Sequence, residues 1–263
     1  MVAAAAIVVI REKLEHYDRE GWVKFEALLD AAALEAARAA CDERLRTGRD
    51  DPHWIMDVHI GDGGKWLMRL LTAPSIRNLV CAFCGEDAHL GSSQFFVKVP
   101  GEQSRAVGWH QDGLDSVQGD FDAAGLRDTD GHGPLSLWIP LDDVDENNGT
   151  LVVSPRLHTQ GQLPVAPLSD EEAESGVGVG IDPRLIGANT ERGHGPVPYR
   201  LRAGDGAAHH PFTPHMSARN RTDRVRRVLL LRLLPASLAA QYADVHTACV
   251  PVLGGDGASG RTA

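Results

Sequence analysis

At 263 residues, with 43% hydrophobic and 24% charged side chains, the chain has enough apolar material for a sizeable core and reads as an ordinary globular chain of one large domain or two small ones. Its net charge of −10 excludes general nucleic-acid binding, which needs a basic face, but leaves room for a local cationic pocket. No run is long enough to span a membrane, so the expected location is the cytoplasm.

The opening "MVAAAAIVVIREK" lacks the basic n-region and cleavage site of a signal peptide and runs into a charged helix. Residues 11–46 read as helical, with Asp30 as an N-cap and Leu34, Ala37, Cys41 and Leu45 on one face. "TAPSIRNLVCAFCGED" predicts a second helix with Pro74 in its first turn and Gly85 at its end. Cys81 and Cys84 form a CxxC without a second pair. With Cys41 and Cys249 they are expected as thiols in a reducing compartment.

From about residue 90 the pattern changes to short runs rich in Val, Leu, Ile and aromatics: "SSQFFVKVP", "LSLWIPLDD", "TLVVSP" and "RRVLLLRLLP". Helices first and strands after predict a mainly β fold with flanking helices, a sandwich or jelly roll. The polar segments 113–133 and 160–200 are too long for simple turns and are expected to be lids, binding loops or disordered. The Gly-rich tail, 252–263, is expected to be disordered.

Within "RAVGWHQDGL", His110 and Asp112 stand two apart on an extended segment, so both side chains point the same way and can reach one ion. A second histidine from a neighbouring strand would complete the two-His, one-carboxylate triad of non-haem iron(II) oxygenases. The candidates are His209, His210 and His215 in "GDGAAHHPFTPHMSARNRTDRVRR", His158 in "SPRLHTQG", and His132 and His194 in polar loops. The block after His215 also carries Ser217, Asn220 and Arg226. An arginine is the planar fork that a dicarboxylate needs.

Four ordered blocks resemble the phytanoyl-CoA dioxygenase-like group of Fe(II)/2-oxoglutarate-dependent oxygenases. They are "YDREGWVKFEALLDAAALEAARAACDERL", "SSQFFVKVPG" with "GWHQDG", "LSLWIPLDDVDENNGTLVVSPRLHTQG", and "GDGAAHHPFTPHMSARNRTDRVRRVLLLRLL". The resemblance implies a double-stranded β-helix (jelly-roll, cupin-like) core at about 90–235, a helical part at about 11–85, and a single domain over 1–251.

It implies His110, Asp112 and His215 as iron ligands. It also implies Arg226 as partner of the 2-oxoglutarate C5 carboxylate, with Arg227 the adjacent rival and Ser217 assisting. Gln94 and Trp138 fall on pocket-lining strands, with core packing as the alternative. His158 sits at a turn reading "SPRLH" where the family has "PGSH"-like residues, and the His209–His210 pair replaces usual apolar residues.

The implied cofactors are Fe(II), 2-oxoglutarate and O2. The implied chemistry is oxidative decarboxylation of 2-oxoglutarate to succinate and CO2, coupled to hydrogen abstraction from a small molecule. Asp112 favours hydroxylation over halogenation. Desaturation, epoxidation, epimerisation and ring formation share the same iron site. A 2-oxoglutarate-independent cupin-like enzyme assigns no role to Arg226 and Ser217, and a non-catalytic binding protein would tolerate loss of ligands, all three of which are present. The expected partner is a small-molecule substrate, with a secondary metabolite more in keeping with the composition than a CoA thioester. Trp54, Trp66 and Trp109 are candidate apolar walls.

Overall fold

The computed structural model describes residues 2–48, 51, 53–60, 64–112, 132–167, 180–243 and 250–252. The element order is α1 (Val2–Glu20), β1 (Trp22–Phe25), α2 (Ala31–Thr47), β2 (Trp54–Met56), α3 (Lys65–Leu71), α4 (Pro74–Cys84), β3 (His89–Lys98), β4 (Val107–His110), β5 (Leu135–Pro140), β6 (Leu151–Val153), β7 (Val165–Ala166), β8 (Gly180–Ile181), α5 (Pro183–Glu191), β9 (Val197–Pro198), β10 (Gly206–His209), β11 (His215–Ser217), β12 (Arg226–Leu234), α6 (Ala236–Ala243) and β13 (Val250–Pro251).

Two antiparallel sheets form the core. The larger runs β1-β10-β5-β12-β3-β13, with β2 also paired to β3, and the smaller runs β4-β11-β6-β9. This is the predicted mainly β, jelly-roll architecture with flanking helices. Strand pleat divides the larger sheet's side chains between two cores. Phe95, Val97, Leu135, Leu137, Ile139, Leu229, Leu231 and Leu233 face the helices, where they pack with Leu67, Leu71, Ile76 and Val80. The alternate residues Trp138, Ala207, Val228 and Leu230 face the smaller sheet and meet Leu151, Val153 and Tyr199.

The helices end where the sequence signals them. Asp30 Oδ1 accepts from Ala33 N at 2.8 Å, capping α2. Pro74 occupies the first turn of α4, and Gly85 follows it at φ 86°. Residues 11–46 are not one helical stretch, however. Gly21, at φ 80°, ends α1 and turns the chain into β1, which pairs with β10. A Cβ there would lie 2.4 Å from His158 Nδ1, so the turn excludes larger residues.

Segment 160–200 also departs from the loop expectation. Asp182 caps α5, Pro183 opens it, and Ile186 joins Leu157, Leu163 and Ile181 in a small third core. Residues 113–131, 168–179 and 253–263 lie outside the described residues, and with them most of the expected loop 113–133 and tail. Val252 is buried and donates its N–H to Ala88 O at 2.9 Å, so the expected disordered tail does not begin there. Cys41, Cys81 and Cys84 are free thiols, and burial pushes Cys41 up to about 12. Cys249 lies outside the described residues. Among the described residues no single helix is long and apolar enough to cross a membrane.

Candidate metal centre

His110 ends β4, and His215 opens β11 directly opposite it in the antiparallel register. Their rings stand 4.1 Å apart, centroid to centroid. Asp112 follows two residues after His110, its N–H bound to Pro211 O at 3.0 Å. Gln111 anchors the same turn through Gly161 O at 2.8 Å and Phe212 O at 2.7 Å. As a result, ligand atoms of His110, Asp112 and His215 all lie within 4.8 Å of one another. Of the histidines considered from sequence, His215 is the one this juxtaposition selects.

The tautomers follow from the partners. His110 Nδ1 meets Gly108 O at 2.8 Å, and His215 Nδ1 meets Thr213 O at 3.0 Å. A carbonyl only accepts, so both Nδ1 atoms carry hydrogen and both Nε2 lone pairs are available. Burial lowers the pKa of His110. Burial together with neighbouring His110 and His209 lowers that of His215 well below the usual value, which keeps both rings neutral.

Burial alone would raise Asp112. The Arg232 guanidinium, His209 and His215 outweigh it and hold the carboxyl well below its ordinary range. Two neutral imidazoles and one carboxylate, with three coordination positions left over, fit a facial-triad metal.

Arg226 opens β12 on the inner face and is 2% exposed. It donates to Gly149 O at 3.0 Å and weakly to Phe96 O at 3.4 Å, while its Nε has no hydrogen-bond partner. Its Cζ lies 5.8 Å from the centroid of the Trp138 ring. Burial brings it down to about 9, leaving a buried cation that a carboxylate would complete.

Gly149 sits at φ 75° in the Asn-Gly turn. A Cβ there would meet Ala218 O at 2.4 Å, so only glycine presents this carbonyl to Arg226. Gln94 shares the same face as Trp138, each paired with Leu230. Gln94 Oε1 accepts from Trp54 Nε1 at 3.1 Å, and its Nε2 has no hydrogen-bond partner. Ser217, two residues beyond His215, is buried on β11.

Arg227 faces the other way. It pairs with Asp142 at 2.8 Å and Asp42 at 2.8 Å on the helix side. His158 bonds to Asp18 O at 3.0 Å, and His210 packs on Tyr17 and His158, both away from the triad. Trp66 stacks on Phe95 in the helix-side core, so it is no pocket wall. Trp109 packs on the third core, and Trp54 packs on Phe96 beside Gln94.

Four residues beside the site were not read from sequence in these roles. Lys98 is buried next to Arg226 as its cross-strand partner. Burial, then the Arg226 and Arg219 charges, push it well below its usual value. Its period-2 spacing from Gln94 on one strand was the available signal. His209, Ser136 and Arg232 contact Asp112 from three other strands, a juxtaposition no local pattern encodes.

A model of the family described as phytanoyl-CoA dioxygenase (PhyH) matches residues 17–228. No curated protein matches the sequence. Among solved structures, the epimerase SnoN in complex with Fe3+, alpha ketoglutarate and nogalamycin RO is 24% identical, over 87% of this chain and 84% of that one, with a TM-score of 0.63. The alpha ketoglutarate dependent carbocyclase SnoK from nogalamycin biosynthesis is 20% identical, over 86% of this chain and 83% of that one, at 0.62. EctD from S. alaskensis, with 2-oxoglutarate and 5-hydroxyectoine, is 18% identical, over 86% and 76%, at 0.63. At these identities the likeness establishes a shared fold.

Proposed function

The chain belongs to the phytanoyl-CoA dioxygenase family, and from that premise we propose that it is a non-haem iron(II)- and 2-oxoglutarate-dependent oxygenase that hydroxylates a small molecule, a secondary metabolite in class. The observation that carries this reading is the pairing of a His-Asp-His cluster with a separate buried arginine lacking a full set of partners. A metal site alone would not require Arg226. A 2-oxoglutarate-independent cupin-like enzyme leaves that cation unexplained, and so does a binding protein.

In this reading His110, Asp112 and His215 hold the metal through two Nε2 atoms and one carboxylate oxygen. Arg226 receives the far carboxylate of 2-oxoglutarate as a charge-assisted fork, assisted by Ser217. Gln94 offers an N–H to an acceptor oxygen because Trp54 occupies its carbonyl. Trp138 forms an apolar wall beneath the Arg226 guanidinium. When bound, iron with 2-oxoglutarate and O2 supplies the oxidant that removes a substrate hydrogen, with succinate and CO2 as co-products. The protein's part is to bind, orient and exclude water around that event.

Relatives on this fold include an epimerase and a carbocyclase, so the same iron site is compatible with other oxidative outcomes. Asp112 supports hydroxylation over halogenation because it leaves no ligand position for halide.

Anaerobic titration of the apo-protein with Fe(II) and 2-oxoglutarate tests the assignment. The expected result is the weak visible charge-transfer band of a chelated keto acid, lost in His215→Ala. Its absence in iron-loaded wild type would overturn the 2-oxoglutarate reading.

A further inference from the structure

His209, Ser136 and Arg232 form a row across three adjacent strands. His209 on β10 is the direct cross-strand partner of Ser136 on β5, and Ser136 is that of Arg232 on β12. Cross-strand partners project to the same face, so all three side chains enter the space between the sheets at one level. The next row along the same strands, Ala207, Trp138 and Leu230, is apolar. Asp112 reaches this polar row from the other sheet. Ser136 Oγ donates to Asp112 Oδ2 at 2.7 Å, and His209 Nε2 donates to the same oxygen at 3.3 Å. Arg232 Nη2 donates to Oδ1 at 2.6 Å.

The two carboxylate oxygens are therefore loaded unequally. Both acceptor directions of Oδ2 are engaged. Oδ1 carries one bond and lies 3.7 Å from His215 Nε2, on the side of the imidazole ligands. We propose that this row is a carboxylate clamp that presents Asp112 to the metal through Oδ1 alone, with Ser136, His209 and Arg232 as positioning residues. The proposal rests on the metal-centre reading above.

Its chemical consequence is a count of positions. Two imidazoles and one carboxylate oxygen occupy three octahedral sites, which leaves two for a keto acid and one for O2. A carboxylate free to turn and chelate through both oxygens would consume the last of these. Outer partners of this kind typically set metal affinity as well as ligand orientation.

The test uses Co(II) as probe on anaerobic, full-length protein, measuring its Kd by calorimetry and its coordination by d–d absorption. Ser136→Ala and His209→Leu are each expected to weaken Co(II) by about 10–100-fold and to alter the band intensity. Ser136→Thr, which keeps the hydroxyl, is expected to recover both. Ser92 lies in the same row opposite Arg232, and its buried hydroxyl has no hydrogen-bond partner, so Ser92→Ala is the size-matched control expected to match wild type.

Ser136→Ala and His209→Leu binding Co(II) like wild type, with an unchanged spectrum, would overturn the clamp. Failure of wild type itself to bind Co(II) would instead overturn the metal-centre reading, and the clamp with it. Ser136→Ala removes one oxygen and decides the matter alone if His209→Leu does not fold.

Discussion

Arg226 and Arg227 are neighbours in the chain with opposite surroundings, because β12 pleats between them. Arg226 enters the space between the sheets with its Nε unbonded, whereas Arg227 is spent on Asp142 and Asp42. Their alanine variants should therefore separate. Arg226→Ala is expected to weaken 2-oxoglutarate by about two orders of magnitude, the scale of truncating one partner of a buried charge pair. Arg227→Ala should leave that affinity unchanged and lower stability by about 1–3 kcal/mol, because its guanidinium and the Asp142 carboxylate are each only about one-fifth exposed and share charge-assisted hydrogen bonds. Calorimetric titration of metal-loaded protein with 2-oxoglutarate measures both. The sequence offered the two arginines as rivals. Which one faces inward depends on the register of β12 against β3 and β5, and that is set by the leucines packing on the helix side.

Elements are joined by polar contacts that reach far along the chain. Asn220 is 1% exposed, donates to Lys98 O at 3.0 Å and to Arg224 O at 2.6 Å, and so ties the β11–β12 connection to the end of β3. At the other end of the sandwich, Glu20 closes α1 against the turn at Arg156, 2.7 Å away, and the Arg156 bond holds Glu20 down to about 2.

The folded-state pKa lies below the unfolded value of 4.5, so the pair's contribution is fully present above pH 4.5 and is lost as pH falls through about 2. Arg156 is 43% exposed and water screens the pair, so that contribution is on the order of 1 kcal/mol. Urea unfolding of Glu20→Gln across that window should show a shallower acid slope than wild type, the two curves converging at the lowest pH. Parallel curves would mean that the bond does not stabilise the fold. α2 and α4 were legible because each carries local punctuation, Asp30, Pro74 and Gly85 among it, whereas α5 was hidden inside a long polar segment despite Asp182 and Pro183 at its start. β1 was hidden too. Four residues after a long helix carry too little periodicity, and pairing with β10, some 180 residues away in the chain, is what makes them a strand.

At the scale of the whole molecule, the proposed ligands belong to the smaller sheet and its flanking turn, while Arg226 and the three donors to Asp112 belong to the larger one. We propose that residues 1–251 fold as one domain, and a metal with 2-oxoglutarate then bridges both sheets and binds only the folded state. At about 100 times Kd such a ligand adds about 2.7 kcal/mol. For a chain of this size that raises Tm by about 5–10 °C. Calorimetry with Mn(II) and 2-oxoglutarate should show one transition moving upward, and Asp112→Ala should abolish the shift. Two separate transitions would refute the single domain.

By itself the sequence determined the order of helices before strands, the His-x-Asp pair and the arginine block, because periodicity, caps and short spacing are local properties of the chain. Only the tertiary structure decided which side chains meet: His215 stands opposite His110 while His209 donates to Asp112, Arg226 enters the space between the sheets while Arg227 pairs with Asp142 and Asp42, and Ser136 and Arg232 converge on Asp112. Those outcomes depend on the register between strands distant in sequence, where a shift of one residue sends every side chain to the opposite face.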